Sequence, residues 1–408
     1  MRISLSVEEA LRVVLEHTRP IGDVEEVGLL EAAGRVLAAD LASRVDHPDV
    51  DNTAVDGYAA RAADTASASR ENPVRLRLVG ESPAGRPFTG TVGPGEAVSI
   101  FTGAPLPAGA DAVVAVEDTE RQGDEVILYA PATPKDIRQK AQDLQSGRVY
   151  LRRGELLTPG RVGLAAAMGY DRLPVTRRPR VGIISTGDEV VEPGAPLPAG
   201  GVYNSNAYSV AAQVREAGGE PVLLGKANDT VAELKEKLAA AGRLDLVLSS
   251  GGVSMGDYDI VRHLLEEEGR IHFWKILQRP GGPPIFAEYR GVPFFGLPGN
   301  PVSAMVIFFL YGRPMLFKML GRNDAPYRRV RALAEDFFKG AGKKVAFRRA
   351  VLSYDPEAPG CHRVKTVGNQ SSEVLRSMAF GNALVVVPPH SNVEAGEVVE
   401  VIPFGEVG

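Results

Sequence analysis

The sequence is nearly devoid of cysteine, since Cys361 is the only one among 408 residues. A single thiol forms neither an intramolecular disulfide nor a thiolate-rich metal site, which is typical of proteins of the reducing cytoplasm. The six histidines show no metal-ligand spacing; they are His17, His47, His263, His272, His362 and His390. We therefore expect a cytoplasmic protein without structural zinc.

Long apolar runs and an excess of positive charge are also missing. The longest apolar run, Ala304 to Tyr311, is far shorter than the roughly 20 residues that span a bilayer. Glu8 and Glu9 interrupt the N-terminus before the apolar segment of a secretory signal develops. The 51 acidic residues outnumber the 46 Lys and Arg, which gives a net charge of -5. Because proteins that bind polyphosphate backbones carry the opposite excess, the composition argues against nucleic acid as well as membrane partners.

Three common catalytic signatures are absent: the GxSxG elbow, the Walker loop and the GxGxxG fingerprint. Hydrolase triads and classical nucleotide sites therefore have no support. Hydrophobic residues make up 44% and charged residues 24% of the chain, which is typical of globular proteins. At about 150 residues per domain, the length predicts two to four domains.

The first half of the chain predicts a β-rich domain inserted into a helical one. Ser6 to Glu9 form a capping box before an amphipathic helix, and a short helix is predicted near Leu30 to Leu41. Brief β-rich runs follow at 74–79, 97–101, 112–116 and 125–129. Helical periodicity returns at 161–170, before a Pro/Arg-rich linker at 174–180. We expect a discontinuous helical or mixed domain at 1–44 plus 144–177, with the insert at 45–143.

The second half predicts an α/β domain at 178–323 and a β-domain at 324–408. Apolar strands alternate with helices, which is typical of a mostly parallel sheet covered on both faces. The strands and helices are predicted in turn at 181–185, 207–216, 221–224, 231–241, 244–249 and 258–268. Five later strand patterns without a long helix indicate a small β-barrel or sandwich; they lie at 329–333, 345–353, 363–367, 383–387 and 398–402.

Loops after the strands of such a sheet are the expected ligand sites. The glycine-rich segment 249–259 runs from a strand into a helix, where free backbone N–H groups favour an anion. The segment 296–303 also joins a strand to a helix, and Asn300 as N-cap with Pro301 at the first helical position explains it equally well as structure. A tight turn remains the alternative for the first segment.

Two further loops carry charges. The segment 185–189 places Asp188 and Glu189 after a strand, as ordinary turns also do. The segment 274–283 carries Lys275 and Arg279 beside a Gly/Pro corner, although exposed edges carry such cations too. Four acids follow predicted strands and together offer the hard oxygen ligands that Mg²⁺ prefers; they are Glu189, Asp229, Asp257 and Asp259. In isolation Asp229 would be interpreted as a helix cap.

The insert contains two unusual segments, each of which is also credible as a plain turn. The first, 49–59, carries three acids and a Gly-Tyr pair, and the second, 102–107, follows a strand. Arg138 and Asp143 close the insert, where a simple ion pair would account for them.

Six motifs in register resemble the molybdopterin molybdenumtransferase family, which includes the MoeA proteins and the gephyrin E-domain. In order they are DNTAVDGYA, TGAPLP, STGDE, SSGGVSMGDYD, FWK and GLPGNPVSA. The resemblance implies four domains, the third with a molybdopterin-binding-like fold, and an elongated homodimer. It also implies the reaction: adenylylated molybdopterin and molybdate give molybdenum cofactor and AMP with a divalent cation, usually Mg²⁺. Docking of other molybdenum-cofactor biosynthesis proteins is left open.

The resemblance assigns roles position by position. Catalytic roles fall on Asp56, Thr102, Glu189, Asp229, Asp259 and Lys275. Substrate-binding roles fall on Arg138, Asp143, Ser205, Asn206, Gly251, Gly252, Ser254, Gly256, Arg279, Pro298, Asn300, Pro301 and Ser303. Metal binding falls on Glu189, Asp229, Asp257 and Asp259. Since the insert of one subunit faces the α/β domain of the other in the family, the resemblance implies a site shared between subunits.

The chain departs from the family pattern at three places. Where the family commonly has Lys-Pro-Gly-Lys-Pro, residues 279–283 read Arg-Pro-Gly-Gly-Pro, so one cation is exchanged and another is missing. Residues 141–143 read Ala-Gln-Asp for the usual Gly-Glu-Asp, and 204–206 read Asn-Ser-Asn for the common Asp-Ser-Asn. Two alternatives therefore stay open: a molybdopterin adenylyltransferase, and a non-catalytic dimeric pterin-binding scaffold.

Overall fold

The chain opens with the amphipathic helix that its capping box predicts. The computed structural model describes residues 4–227, 230–240, 242–251, 260–355 and 362–407. In it the Ser6 hydroxyl accepts a hydrogen bond from the Glu9 amide at 3.2 Å, and the Glu9 carboxylate accepts one from the Ser6 amide at 2.9 Å. Helix Val7–Glu16 buries its apolar face in the core cluster of the α/β sheet.

Segments on both sides of the insert share a second core. Strand Val24–Gly28 pairs with Arg172–Thr176, and Leu41–Ala42 pairs with Val149–Leu151. Helix Pro159–Ala167 packs against them with Thr158 as its N-cap. The chain therefore leaves this core into the insert and returns to it, which fits a discontinuous arrangement.

Two sequence predictions in this region are wrong in part. Near Leu30 to Leu41 the helix covers only Leu29–Ala32, because Gly34 has a positive φ of 74° and the following residues form β-bridges. The predicted linker 174–180 begins within strand Arg172–Thr176. Pro174 takes part in this strand through its carbonyl oxygen, which accepts from the Ala38 amide at 2.9 Å.

The insert is a six-stranded sheet, as its β-rich runs predict. Its strand order is Ala112–Ala115, Gly57–Ala60, Glu96–Ile100, Val74–Ser82, Glu125–Leu128 and Thr119–Gln122. A short pairing of Asn52–Thr53 with Ile137–Arg138 closes its base, and helix Ala62–Thr65 follows the second strand of the order. Gly57 allows close strand approach, since a Cβ there would lie 2.0 Å from the Val114 carbonyl oxygen. The loops around Asp56 and Thr102 are thereby held at one end of the sheet.

The α/β part contains the predicted mostly parallel sheet. Its order is Glu220–Ala227, Arg180–Thr186, Leu246–Ser250, Val292–Leu297, Ile285–Tyr289 and Gly269–Trp274. The first four strands pair in parallel, and the last two pairings are antiparallel, so Ile285–Tyr289 alone runs opposite to the other five. Core clusters on the two faces are covered by helices, namely Ser205–Glu216, Val231–Ala240, Ile260–Glu267 and Pro301–Ile307. A pairing of Val190–Val191 with Val202–Tyr203 lies outside the sheet. The three-layer prediction is confirmed.

The last helix of this part begins at Pro301 and continues without interruption to Leu320. Helix Pro301–Ile307 passes through a π-helix, Phe308–Gly312, into helix Arg313–Leu320, which ends at a left-handed Gly321. By length and composition Pro301–Leu320 could cross a bilayer, but 83% of its apolar window is buried inside the protein. It is therefore the central helix of the α/β core.

The C-terminal part is a closed barrel. Five strands pair in a ring; in order they are Val345–Tyr354, His362–Thr366, Val330–Ala334, Val398–Pro403 and Ala383–Val387. Because the ring of strands is closed, this part is a barrel and not a sandwich. The helix described within it, Arg376–Ala379, has four residues. Strand Gln278–Arg279 of the α/β part pairs in parallel with Val345–Tyr354 and so joins the two parts.

Candidate functional site

A cavity of about 580 Å³ lies where strand Gln278–Arg279 meets the barrel. Five cationic residues line it: Lys275, Arg279, Lys344, Arg348 and Arg349. Among the described residues, no Asp or Glu belongs to the lining. We call it the cationic cavity. Because five like charges converge on this cavity, its chemistry suits an oxyanion.

Arg349 is the most deeply buried of these cations, with a relative exposure of 0%. Its Nε donates to the Ser377 hydroxyl at 3.1 Å and its Nη2 to the Ser371 carbonyl oxygen at 3.0 Å. Its Nη1 has no hydrogen-bond partner. Burial, assisted by the Arg348 charge, lowers the pKa of the Arg349 guanidinium to about 10. A bound anion would supply the missing acceptor and stabilise the buried charge.

Arg348 points its guanidinium towards backbone oxygens. Nε donates to the Lys339 carbonyl at 2.7 Å and Nη2 to that of Gly340 at 3.0 Å. Burial lowers the pKa of Arg348, and the nearby Arg279 charge lowers it further. The two guanidinium groups are thus close enough to repel each other.

Lys275 and Arg279 lie in a turn that backbone hydrogen bonds close, from the Lys275 amide to the Pro284 carbonyl and from the Ile276 amide to the Gly282 carbonyl. Lys275 has a positive φ of 87°, and its Nζ lies 5.1 Å from the centre of the Trp274 ring. Between them Gln278 is fully buried; its amide nitrogen donates to the Pro280 carbonyl at 2.9 Å, and its amide oxygen accepts from the Tyr311 hydroxyl at 2.6 Å. The predicted pair of cations therefore faces a common space.

The loop before helix Pro301–Ile307 also contributes to the cavity. Pro298, Asn300 and Ser303 line it, whereas Pro301 does not belong to the lining. The sequence predicts an Asn300 side-chain cap, but the side chain makes no capping bond and its amide donates to the Ser372 hydroxyl at 2.8 Å. Asn300 is turned away from the helix because Ser372 of the barrel offers it an acceptor.

The carboxyl ends of the parallel strands form a second polar region. The Asn206 amide donates to the Ser250 hydroxyl and to the Gly299 carbonyl, both at 2.7 Å. The Gly251 amide donates to the Leu297 carbonyl at 3.1 Å, so the loops after two strands are joined. Three buried oxygens here lack a hydrogen-bond partner: Thr186 Oγ1, Asn206 Oδ1 and Ser249 Oγ. Ser205 is the first residue of the adjacent helix.

Much of the predicted metal set lies outside the described residues. This applies to Asp229, Asp257 and Asp259, and to the glycine-rich positions Gly252, Ser254 and Gly256. Glu189 is described, exposed, and folded back over Gly187, where a Cβ would lie 2.7 Å from its carboxylate. Within the described ranges no group of three His, Cys, Asp or Glu could hold a metal ion. The oxygen donors present, a carboxylate and the unpartnered hydroxyls of Thr186 and Ser249, are of the kind that suits Mg²⁺.

The predicted insert residues form their own cluster. The Thr102 amide and hydroxyl both donate to Oδ1 of Asp56, at 2.7 and 2.8 Å, and these bonds hold the pKa of the Asp56 carboxyl below its ordinary value. Arg138 and Asp143 are exposed, and across the described part of the chain no ion pair joins them, contrary to the structural alternative. None of these four residues lines the cationic cavity within one chain.

Sequence reasoning missed the barrel's contribution to the cavity. These residues are Lys344, Arg348, Arg349, Gln370, Ser371 and Ser372. The one available signal was Arg348-Arg349 within an otherwise apolar strand, where a buried arginine is unexpected.

Family models match nearly the whole chain in three consecutive pieces. They are described as the MoeA N-terminal region (domain I and II) over residues 5–169, a probable molybdopterin binding domain over 182–318, and the MoeA C-terminal region (domain IV) over 331–404. The order of these three matches agrees with the order of the parts in the structure: first the discontinuous core with its insert, then the α/β sheet, then the barrel.

Full-length relatives agree with these matches. The chain is 40% identical over 393 residues to molybdopterin molybdenumtransferase 2 of Mycobacterium tuberculosis, covering 94% of this chain and 95% of that protein. It is 35% identical over 410 residues to the molybdopterin molybdenumtransferase of Haemophilus influenzae, covering 99% of each. The crystal structure of the molybdopterin biosynthesis moeA protein from Pyrococcus horikoshii superposes with a TM-score of 0.84 at 32% identity, over 98% of this chain and 99% of that one. The chain therefore belongs to the molybdopterin molybdenumtransferase (MoeA) family.

Proposed function

We propose that this protein inserts molybdate into adenylylated molybdopterin with release of AMP, in the cytoplasm, as a step of molybdenum cofactor biosynthesis. The observation that carries the proposal is the cationic cavity, whose described lining has five cations and no carboxylate. Molybdate and the phosphate groups of the adenylylated substrate are anions, so they match this cavity in charge. The full-length relatives bearing the name molybdenumtransferase support the same reaction.

The unpartnered Nη1 of Arg349 is the group with most to gain from such a ligand. It is buried with no acceptor, and a buried donor left unsatisfied costs roughly 1–3 kcal/mol. An oxyanion in the cavity would accept from it in a charge-assisted bond. In the proposed reaction Arg349 of the barrel binds and orients the anion, while Arg279 and Lys275 add positive charge from the α/β part.

A divalent cation, usually Mg²⁺ in this family, would bind at the carboxyl ends of the parallel strands. Glu189 offers a carboxylate there, and the hydroxyls of Thr186 and Ser249 are buried without hydrogen-bond partners. Asp229, Asp257 and Asp259 would complete the ligand set by their place in the sequence. Bound at this edge, the ion would neutralise charge on the phosphoanhydride of the substrate.

We propose further that the protein acts as a homodimer with shared sites. Within one chain, Asp56, Thr102, Arg138 and Asp143 do not line the cationic cavity. Their acidic and hydrogen-bonding groups would complete the site of the opposite subunit. This arrangement gives the exposed Asp56–Thr102 pair a role that its own chain does not supply.

The decisive experiment measures AMP release from adenylylated molybdopterin by the purified protein. We expect release that requires both molybdate and Mg²⁺ and that stops on addition of EDTA. An adenylyltransferase would instead form the adenylate from ATP and molybdopterin with no dependence on molybdate. A pterin-binding scaffold would bind the substrate but release no AMP, and either of these results would refute the proposal.

A further inference from the structure

Lys344 lies over a position that has no side chain. A Cβ atom added at Gly282 would lie 3.7 Å from the Lys344 Nζ and 3.1 Å from the Gln278 carbonyl oxygen. The lysine belongs to the barrel and the glycine to the α/β part, yet both line the cationic cavity. The ammonium group therefore occupies the region into which a side chain at residue 282 would extend.

The backbone fixes this placement. The Lys344 amide donates to the Ala341 carbonyl at 3.2 Å in a tight turn directly before strand Val345–Tyr354. That strand pairs in register with Gln278–Arg279, since Gln278 lies opposite Val345. The segments carrying Lys344 and Gly282 are thus locked side by side by the same β-pairing.

Lys344 has no anionic partner in the part of the chain that the structure describes. No described carboxylate lies within 4.0 Å of its Nζ, and its side chain makes no hydrogen bond there. The residue is half-buried and lines the same cavity as Arg348 and Arg349. A lysine in an ordinary surface position would lie in bulk water or against a carboxylate. Its location among cations instead favours an anion held between them.

We propose that Lys344 is a substrate-binding residue that supplies, from the barrel, the cation absent at position 282. Its ammonium binds a tetrahedral oxyanion group of the substrates, either molybdate itself or a phosphate of the adenylylated pterin. The inference rests on the proposed function for the identity of the oxyanion, but the placement of the charge is independent of it.

The test moves the charge from one segment to the other. Lys344→Gln removes it, and Gly282→Lys in the Lys344→Gln background restores it from the α/β side. Lys343→Gln is the matched control, because Lys343 is exposed and does not line the cavity. Gly282→Ala measures the effect of a Cβ alone. Molybdate binding is followed by calorimetry, and AMP release by steady-state kinetics with each substrate varied.

We expect Lys344→Gln to weaken oxyanion binding about tenfold with an unchanged Tm, and the double variant to recover most of the loss. A raised KM for molybdate identifies molybdate as the ligand, and a raised KM for the adenylylated pterin identifies its phosphate. Lys343→Gln should match the wild type. Unchanged molybdate binding together with an unchanged KM for the adenylylated pterin in Lys344→Gln refutes the inference. So does a folded double variant, Lys344→Gln with Gly282→Lys, that recovers no more than Lys344→Gln with Gly282→Ala. If the wild type releases no AMP but binds molybdate through Lys344, the proposed function fails and the inference stands.

Discussion

Arg349 and Ser371 are joined by a hydrogen bond, yet one nitrogen of the buried guanidinium, Nη1, has no partner. Arg349 Nη2 donates to the Ser371 carbonyl at 3.0 Å, while Nη1 of the same group has no partner. The bond orients the guanidinium plane, and burial keeps water from satisfying the remaining donor. The protein thus maintains an unsatisfied cation where the substrate anion is proposed to bind.

Arg349→Met should separate binding from stability. We expect molybdate-dependent AMP release to fall by about tenfold or more, since a hydrogen bond to a charged group contributes roughly 1.5–3 kcal/mol. The Tm should remain near the wild-type value or rise, because an apolar side chain of similar length removes a buried charge. Kinetics and thermal unfolding check the two parts. If Tm and activity both fell strongly, Arg349 would be chiefly a structural residue.

Complementation between impaired variants tests the shared site. Asp56→Asn and Arg349→Met alter residues that would belong to opposite halves of each site. Mixing the two impaired variants through mild unfolding and refolding should restore activity to about a quarter of the wild-type value, because half of the random dimers contain one intact site out of two. Mixing Arg349→Met with Arg279→Ala, on the same half, is the control and should restore nothing. Equal recovery in both mixtures would exclude the proposed arrangement.

Thr102→Val should raise the pKa of Asp56. The Thr102 amide and hydroxyl stabilise the carboxylate, so the folded-state pKa is lowered, and the ionised form persists as pH falls until that pKa is reached. Valine keeps the amide bond and removes only the hydroxyl bond, so the pKa should move part of the way towards its ordinary value. NMR titration of the Asp56 carboxyl carbon, assigned with Asp56→Asn, measures the change. An unaltered titration would show that the hydroxyl does not stabilise the charge.

His272 should make the protein less stable in mild acid. Its ring lies 3.7 Å from that of His17, its Nε2 is buried without a partner, and burial lowers its pKa from 6.5 to about 4. Because the folded-state pKa is the lower one, stability is full above pH 6.5 and is lost as pH falls towards 4. The loss should be on the order of 1 kcal/mol by pH 5, allowing for the partly exposed ring.

Urea unfolding at pH 7 and pH 5 measures this loss. His272→Phe should reduce the difference between the two pH values, because it replaces the imidazole with a ring that does not titrate. His263→Gln, on an exposed position of helix Ile260–Glu267, should leave it unchanged. The same pH dependence in wild type and His272→Phe would assign the effect to other groups.

Gly57→Ala should destabilise the insert strongly. The added Cβ would lie 2.0 Å from the Val114 carbonyl oxygen, so the two strands would have to separate. We expect a cost of roughly 1–3 kcal/mol and loss of the neighbouring Asp56 geometry. Gly163→Ala is the matched control in helix Pro159–Ala167, where nothing lies within 4 Å and alanine should stabilise by about 0.5–1 kcal/mol. Chemical denaturation compares the two, and equal effects would contradict the proposed strand contact.

The sequence determined the elements whose signals are local. The Ser6–Glu9 capping box located the first helix, and alternating apolar strands and helices predicted the mostly parallel sheet. These predictions succeed because capping bonds and hydrophobic periodicity act over a few residues. The motifs around Asp56, Lys275 and Asn300 likewise pointed to the family, since each motif is contiguous.

Only the tertiary structure decided which residues share the cavity. Lys344 and Gly282 are separated by 62 positions along the chain and come together because the barrel pairs with strand Gln278–Arg279. Asn300 lost its predicted capping bond for the same reason, since Ser372 of the barrel lies within its reach. Such pairings depend on long-range packing, which overrides local preference and leaves no pattern within either segment. Local chemistry therefore fixed the candidate residues, and the contact between the sheet and the barrel selected the cations that face one anion.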